Sequence, residues 1–79
     1  MTVRVLLFAS WAEAFGARSI EIDVPDDATA DDVLSALRER AGAVELPRPA
    51  LAVNRAIVKG KSPILRGDEL AIIPPVAGG

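Results

Sequence analysis

The chain has 79 residues, of which 51% are hydrophobic, so it can build one packed core but not two. It contains no cysteine and no histidine, which excludes disulfide bonds, thiol catalysis and the usual kinds of zinc site. Its formal net charge of -2 argues against general nucleic-acid binding. No stretch approaches the roughly 20 apolar residues that cross a bilayer, and the first residues do not resemble a secretory signal. We therefore expect a cytoplasmic protein with no nucleic-acid or membrane partner.

Charged residues are unevenly distributed along the chain. Residues 19–32 carry six acids and no base, whereas residues 38–66 carry seven bases and two acids. Such bias usually describes a solvated surface. It is also compatible with a dipolar molecule whose faces orient an approaching partner.

The first half of the chain predicts two strands with a short helix between them. Residues 2–9 alternate in polarity and then become apolar on both faces, as in a central strand. Ser10 and Glu13 have the spacing of a capping box, and Gly16 is placed to end a short helix. Residues 18–24 predict a half-buried strand.

The second half predicts one long helix followed by short strands. Thr29 and Asp32 have cap-like spacing at its start, and Gly42 is the expected stop. Between Asp32 and Gly42, four apolar residues recur at helical spacing and form a stripe: Val33, Leu34, Leu37 and Ala41. Beyond the helix we expect a loop at 45–49, a hairpin of strands 51–53 and 56–58, a turn at 66–68 and a final strand at 69–73.

This order predicts an α+β fold of the β-grasp (ubiquitin-like) type, with a mixed sheet of about four to five strands packed on one main helix. The first two strands should pair antiparallel, and the first and last strands should form the central pair. A split β-α-β ferredoxin-like fold would need two comparable helices, and the sequence has one strong helix. The expected domain is residues 1–73, followed by a flexible, extended tail at residues 74–79.

The tail has the sequence PPVAGG. Pro74 and Pro75 lack amide hydrogens, so they end strand pairing and form a stiff spacer. The extended tail spans on the order of 20 Å, and Gly78 and Gly79 make its tip thin enough for a narrow tunnel in another protein. The ionised Gly79 carboxylate becomes reactive only when a partner activates it, most simply by adenylation from ATP. An amine would then give an isopeptide bond, and a sulfur nucleophile a thiocarboxylate.

A family resemblance lies in three segments: VLLFASWAEAFG at residues 5–16, LAVN at 51–54 and LRGDELAIIPPVAGG at 65–79. The last is quite specific, because PPVAGG follows a Gly-Asp-Glu turn. The sequence resembles the small subunits of molybdopterin synthase, the MoaD-type ubiquitin-like sulfur carriers, over essentially its whole length.

The resemblance implies a β-grasp fold and the role of a co-substrate. It implies that Gly79 is adenylated and thiocarboxylated, and then gives sulfur to a cyclic pterin monophosphate precursor to form the molybdopterin dithiolene. The segment that would contact the partner is the rest of the tail: Pro74, Pro75, Val76, Ala77 and Gly78. Implied partners are the large subunit (MoaE-type) in a heterotetramer, a ubiquitin-activating-like (MoeB-type) adenylyltransferase and a sulfur-donor enzyme. No cofactor is expected to bind stably, since the activating partner uses the ATP, and no metal is expected.

Two alternatives remain open. The chain could carry sulfur for thiazole or cysteine biosynthesis, or it could be a ubiquitin-like modifier or interaction domain whose Gly79 is conjugated to lysines or unused. An independent enzyme is disfavoured, because no nucleophile–base pair or metal cluster can be assembled from these residues. The active residues would then lie on the partner.

The sequence also predicts the location or role of several other side chains. The aromatic residues Phe8, Trp11 and Phe15 are expected to anchor the core and helix. An apolar patch on the sheet near the tail is expected from Leu6, Ile57, Ile72 and Ile73. Four bases are expected to be mostly solvated, with one or two pairing with acids on a partner: Arg55, Lys59, Lys61 and Arg66. Asp68 and Glu69 are expected to be structural, as part of the turn before the last strand.

Overall fold

The computed structural model describes residues 1–42, 46 and 48–74. These residues form five strands and two helices. Their bounds are β1 Thr2–Leu6, α1 Ala9–Phe15, β2 Ser19–Asp23, α2 Ala30–Ala41, β3 Ala50–Val53, β4 Ala56–Val58 and β5 Leu70–Ile73. In this part of the chain, no helix is long and apolar enough to cross a membrane.

The five strands form one mixed sheet in the order β2-β1-β5-β3-β4. β1 pairs antiparallel with β2 and parallel with β5, whereas β3 pairs antiparallel with both β5 and β4. The last strand therefore lies at the centre of the sheet, beside the first. This confirms the predicted β-grasp arrangement with the first and last strands as the central pair, and the structure shows that these two strands run parallel.

The long helix α2 begins and ends where the sequence predicts. The Thr29 hydroxyl accepts from the Asp32 amide at 3.4 Å, and the Asp32 carboxylate accepts from the Thr29 amide at 2.8 Å, which makes a reciprocal capping box. Gly42 caps the other end at a φ of 68°. Val33 and Leu37 are fully buried against the sheet, so the apolar stripe fixes the helix on the core.

The short helix α1 corrects the predicted capping box at Ser10 and Glu13. The helix begins at Ala9, with Phe8 as an extended N-cap and no capping side chain, so Ser10 already lies within the first turn. The Trp11 and Ala12 amides donate to the Phe8 carbonyl at 3.1 and 3.4 Å. β1 ends at Leu6 instead of residue 9, because the chain leaves the sheet to start this helix. Gly16 ends the helix at a φ of 66°, as predicted.

The core lies between one face of the sheet and the two helices. Alternate strand residues point into it, among them Val3, Val5, Ile22, Leu51, Leu70 and Ile72. Trp11 of α1 belongs to the same cluster as Leu37 of α2, so both helices cover this face. The opposite face of the sheet, which we call the open face, is not covered by either helix.

Candidate functional site: the open face and the root of the tail

Of the predicted site residues, the structure describes Pro74, which follows β5 directly and is half-buried. Pro75, Val76, Ala77, Gly78 and Gly79 lie outside the described residues, so their predicted roles stay predictions. β5 ends at Ile73, where the Pro-Pro sequence is expected to stop strand pairing. The tail therefore begins at the centre of the sheet, from a strand that is paired on both sides.

We call the end of the sheet at which β5 finishes the tail end. Ile73 pairs there with Ala50 of β3, and Ala71 pairs with Leu6 of β1. Because β1 and β5 are parallel, β1 also finishes at the tail end. The strand that leads to the tail is thus held by hydrogen bonds from two neighbouring strands.

A row of apolar residues crosses the open face just behind the tail. The register aligns Leu6, Ala71, Ala52 and Ile57 on four adjacent strands. Ile57 is 67% exposed, whereas Ala52, which lies between Ala71 and Ile57, is 7% exposed. This row gives the open face an apolar surface of the kind that partners use.

The structure corrects one member of the predicted apolar patch. Ile72 is fully buried in the core, because β5 turns Leu70 and Ile72 towards the helices. Ala71 and Ile73 take the opposite, open face, and both are half-buried. Leu6, Ile57 and Ile73 remain in the patch, which gains Ala52 and Ala71.

Phe8 was expected in the core, and that expectation is wrong. Phe8 is 47% exposed. It is the extended N-cap residue of α1, so it belongs to neither the buried face of β1 nor the buried face of the helix. It lines a shallow hollow of about 390 Å³ at the tail end, with Leu6, Leu7, Ala9, Ala12 and Arg18. Trp11, at 1% exposure, does anchor the core, and the half-buried Phe15 packs beside it. Phe8 therefore joins the apolar surface close to the tail.

A polar clamp fixes the entrance to β5 at the opposite end of the sheet. Asn54, in the turn between β3 and β4, donates its side-chain amide to Asp68 at 3.1 Å and accepts from the Glu69 amide at 3.0 Å. Asp68 also accepts from the Leu65 amide at 2.8 Å, which closes the turn before β5. These bonds confirm the structural role predicted for Asp68 and set the register of the strand that leads to the tail.

An ion-paired cluster lies at the end of the sheet where β5 begins, away from the tail. The Met1 amino group donates to the Val24 carbonyl at 2.6 Å and to Asp26 at 3.0 Å. This hydrogen bond and the charge of the amino group, with a smaller contribution from Arg66, lower the pKa of Asp26. Within the described ranges, no group of acids is arranged to hold a metal ion.

Comparison with known proteins identifies the family. The chain matches the ThiS family over residues 5–79. It is 37% identical, over 83 aligned residues, to the molybdopterin synthase sulfur carrier subunit of Drosophila erecta, covering 100% of this chain and 92% of that protein.

Two solved structures have the same fold. The crystal structure of small archaeal modifier protein 1 from Haloferax volcanii aligns with a TM-score of 0.83 and 32% identity, covering 95% of this chain and 98% of that one. One chain of a complex of subunits 1 and 2 of the molybdopterin-converting factor from Helicobacter pylori aligns with a TM-score of 0.67 and 25% identity. The alignment covers 100% of this chain and 100% of that one. The family match covers nearly the whole sequence, and the fold agrees with it, so the chain belongs to the ThiS family of ubiquitin-like β-grasp proteins.

Proposed function

We propose that this chain is the sulfur-carrier small subunit of a molybdopterin synthase and that it works in the cytoplasm. The observation that carries the proposal is the match to the Drosophila erecta sulfur carrier, which includes all of this chain and hence its Gly-Gly tail. The Helicobacter pylori complex adds support for a large-subunit partner. The absence of cysteine fits the proposal, because a thiocarboxylate carrier needs no thiol of its own.

The proposed chemistry takes place at Gly79 and is carried out by partner enzymes. The Gly79 carboxylate attacks the α-phosphorus of ATP on an adenylyltransferase, and pyrophosphate leaves. Hydrosulfide supplied by a donor enzyme then attacks the carbonyl carbon: the C–S bond forms, the C–O bond to AMP breaks, AMP leaves and a thiocarboxylate remains. On the large subunit the thiocarboxylate sulfur bonds to a carbon of the cyclic pterin monophosphate precursor, from which an oxygen substituent leaves. Water then cleaves the acyl C–S bond and returns Gly79 to a carboxylate, and two such transfers complete one dithiolene.

The body of the protein serves this chemistry by presenting the tail. Because β5 is paired on both sides, Pro74 starts from a rigid base. The apolar row on the open face, with Phe8 nearby, gives the partner a surface to bind while the tail enters its active site. Binding energy at this surface holds the tail's reactive atom in place, which lowers the entropic cost of the transfer.

Reconstitution with the large subunit tests the proposal. A chain lacking Gly79 should fold and bind the large subunit but form no molybdopterin from the precursor. A Gly78→Phe variant should transfer sulfur slowly because the tip no longer fits a narrow channel, whereas the matched Gly78→Ala variant should retain more activity. Product formation by the chain without Gly79 would refute the carrier role. Recovery of Gly79 in isopeptide bonds to lysines, with no thiocarboxylate, would favour a modifier instead.

A further inference from the structure

Three cations lie at the tail end of the sheet, each just outside a different strand. Arg18 directly precedes β2, and its carbonyl accepts from the Leu7 amide at 2.8 Å. Lys59 directly follows β4, whose Val58 pairs with Leu51, the partner of Ile72. Arg48 lies two residues before β3. We call Arg18, Arg48 and Lys59 the tail-end cations.

The strand order places these cations on both sides of the tail. β2 and β4 are each two strands away from β5, so their backbones lie about 10 Å from it on opposite sides. Arg48 lies two residues before the adjacent strand β3. The tail thus begins between positive charges. The three residues are far apart in the sequence, and only the strand order brings them to one end of the sheet.

The tail-end cations are available to a partner. All three are exposed, and no ion pair within the described ranges includes any of them. One acid lies close to two of them: the Asp31 carboxylate of α2 packs against Gly60, next to Lys59, and Asp31 lines a hollow together with Arg48. That hollow also contains Leu34 and Arg38 of α2, so Arg48 is presented at the covered side of the tail end and not on the open face.

The opposite end of the sheet has the opposite charge. Four acids lie there, Asp23, Asp26, Asp68 and Glu69, against three positive groups, Arg55, Arg66 and the Met1 amino group, the last two of which are paired with Asp26. A partner that approaches the tail therefore meets the positive end of a polarised sheet. The overall charge of -2 makes a nucleic acid a poor partner, whereas an acidic protein surface is complementary to this end alone.

We propose that the tail-end cations bind an acidic rim on the large subunit, around the opening that receives the tail. This inference rests on the proposed function. Six residues can span on the order of 20 Å when extended, which is enough to keep the body of the carrier outside the partner's active site, so the cations would meet the outer surface and not the reacting groups. Arg48 and Lys59 lie beside adjacent strands, within the screening length of about 8 Å in physiological salt, so they act together in orienting the tail on encounter. Arg18 lies on the other side of β5, about 20 Å from Lys59 by strand spacing, and acts as a separate contact.

A matched pair of charge-reversed variants tests the proposal. Arg48→Glu with Lys59→Glu removes positive charge at the tail end, and Arg55→Glu with Arg66→Glu makes the same change in net charge at the opposite end. Association and dissociation rates with the large subunit of the same organism are measured from low to high salt. Urea unfolding checks that both variants fold.

The tail-end variant should associate at least about tenfold more slowly at low salt, and the difference should shrink as added salt screens the charges. The opposite-end variant should stay within about twofold of the unaltered chain at every salt concentration. Equal effects of the two variants, or none, would overturn this inference and leave the proposed function intact. A single-stranded oligonucleotide that bound through Arg48 and Lys59, with large-subunit binding unchanged, would also overturn it. Failure of the unaltered chain to bind the large subunit would overturn the proposed function and this inference with it.

Discussion

Leu37→Ala is expected to remove much of the stability of this domain. Leu37 is fully buried in the core between α2 and the sheet. Truncating a buried leucine costs about 2–5 kcal/mol, and small domains have total stabilities of roughly 5–15 kcal/mol. With a urea dependence of about 1 kcal/mol per molar for a chain of this size, the unfolding midpoint should fall by about 2 M or more.

Fluorescence of the single tryptophan gives the readout. Trp11 is 1% exposed and belongs to the same core, so its emission shifts to the red when that core opens. Leu34→Ala is the matched control, because it makes the same change on the same helix at a half-buried position. The control should lose less than half as much stability. Equal losses for the two variants, or a loss below about 1 kcal/mol for Leu37→Ala, would refute the assignment of this helix face to the core.

Three further predictions follow from the clamp, the open face and the ion pair. Asn54→Ala should cost about 2 kcal/mol in urea unfolding, because it removes two side-chain hydrogen bonds and an asparagine that tolerates a φ of 51°; unchanged stability would show that the clamp does not hold β5. Ile57→Asp should leave the unfolding midpoint unchanged, since Ile57 is 67% exposed, but should weaken large-subunit binding at least about tenfold; normal affinity would exclude the open face from the interface. The lowered pKa of Asp26 means that its stabilising contribution is present above about pH 4 and is lost as the pH falls through that lowered pKa. Melting temperatures of Asp26→Asn and the unaltered chain should therefore differ near neutral pH and converge in acid, and a difference that persisted undiminished in strong acid would contradict this assignment.

The fold was largely predictable because its signals are local and consistent. Thr29 and Asp32 form the expected capping box, and Gly16 and Gly42 end their helices. The alternation of polarity in β1 and β2 identifies their buried faces. Two strands that are apolar on both faces also sufficed to place β1 beside β5.

The errors fall where the sequence holds no directional signal. In β5 all four residues are apolar, so the pattern does not say whether Ile72 or Ile73 faces the helices. Phe8 lies at a junction between strand and helix, where neither the two-residue periodicity of a strand nor the roughly 3.6-residue periodicity of a helix predicts which side chains are buried. The Ser10 spacing resembles a cap, but burial of Trp11 and the Phe8 carbonyl fix the start of the helix earlier.

The candidate site was predictable only as a tail. The residues around it come from strands far apart in the chain: Leu6, Ala52 and Ile57 become neighbours through strand register. Arg18, Arg48 and Lys59 share one end of the sheet for the same reason. Strand order had to be known before either surface could be recognised, which is why the sequence showed only an uneven charge along the chain.

The decisive experiment is intact-mass analysis of the chain recovered from its native host. A sulfur carrier should yield a fraction that is heavier by the difference between one sulfur atom and one oxygen atom, with fragmentation placing the change at Gly79. Because the chain has no cysteine, a thiol-selective reagent should label this fraction and leave the rest unlabelled. If every molecule carries an ordinary carboxylate at Gly79 while the adenylyltransferase, the sulfur donor and ATP are all present and active, the carrier role is contradicted.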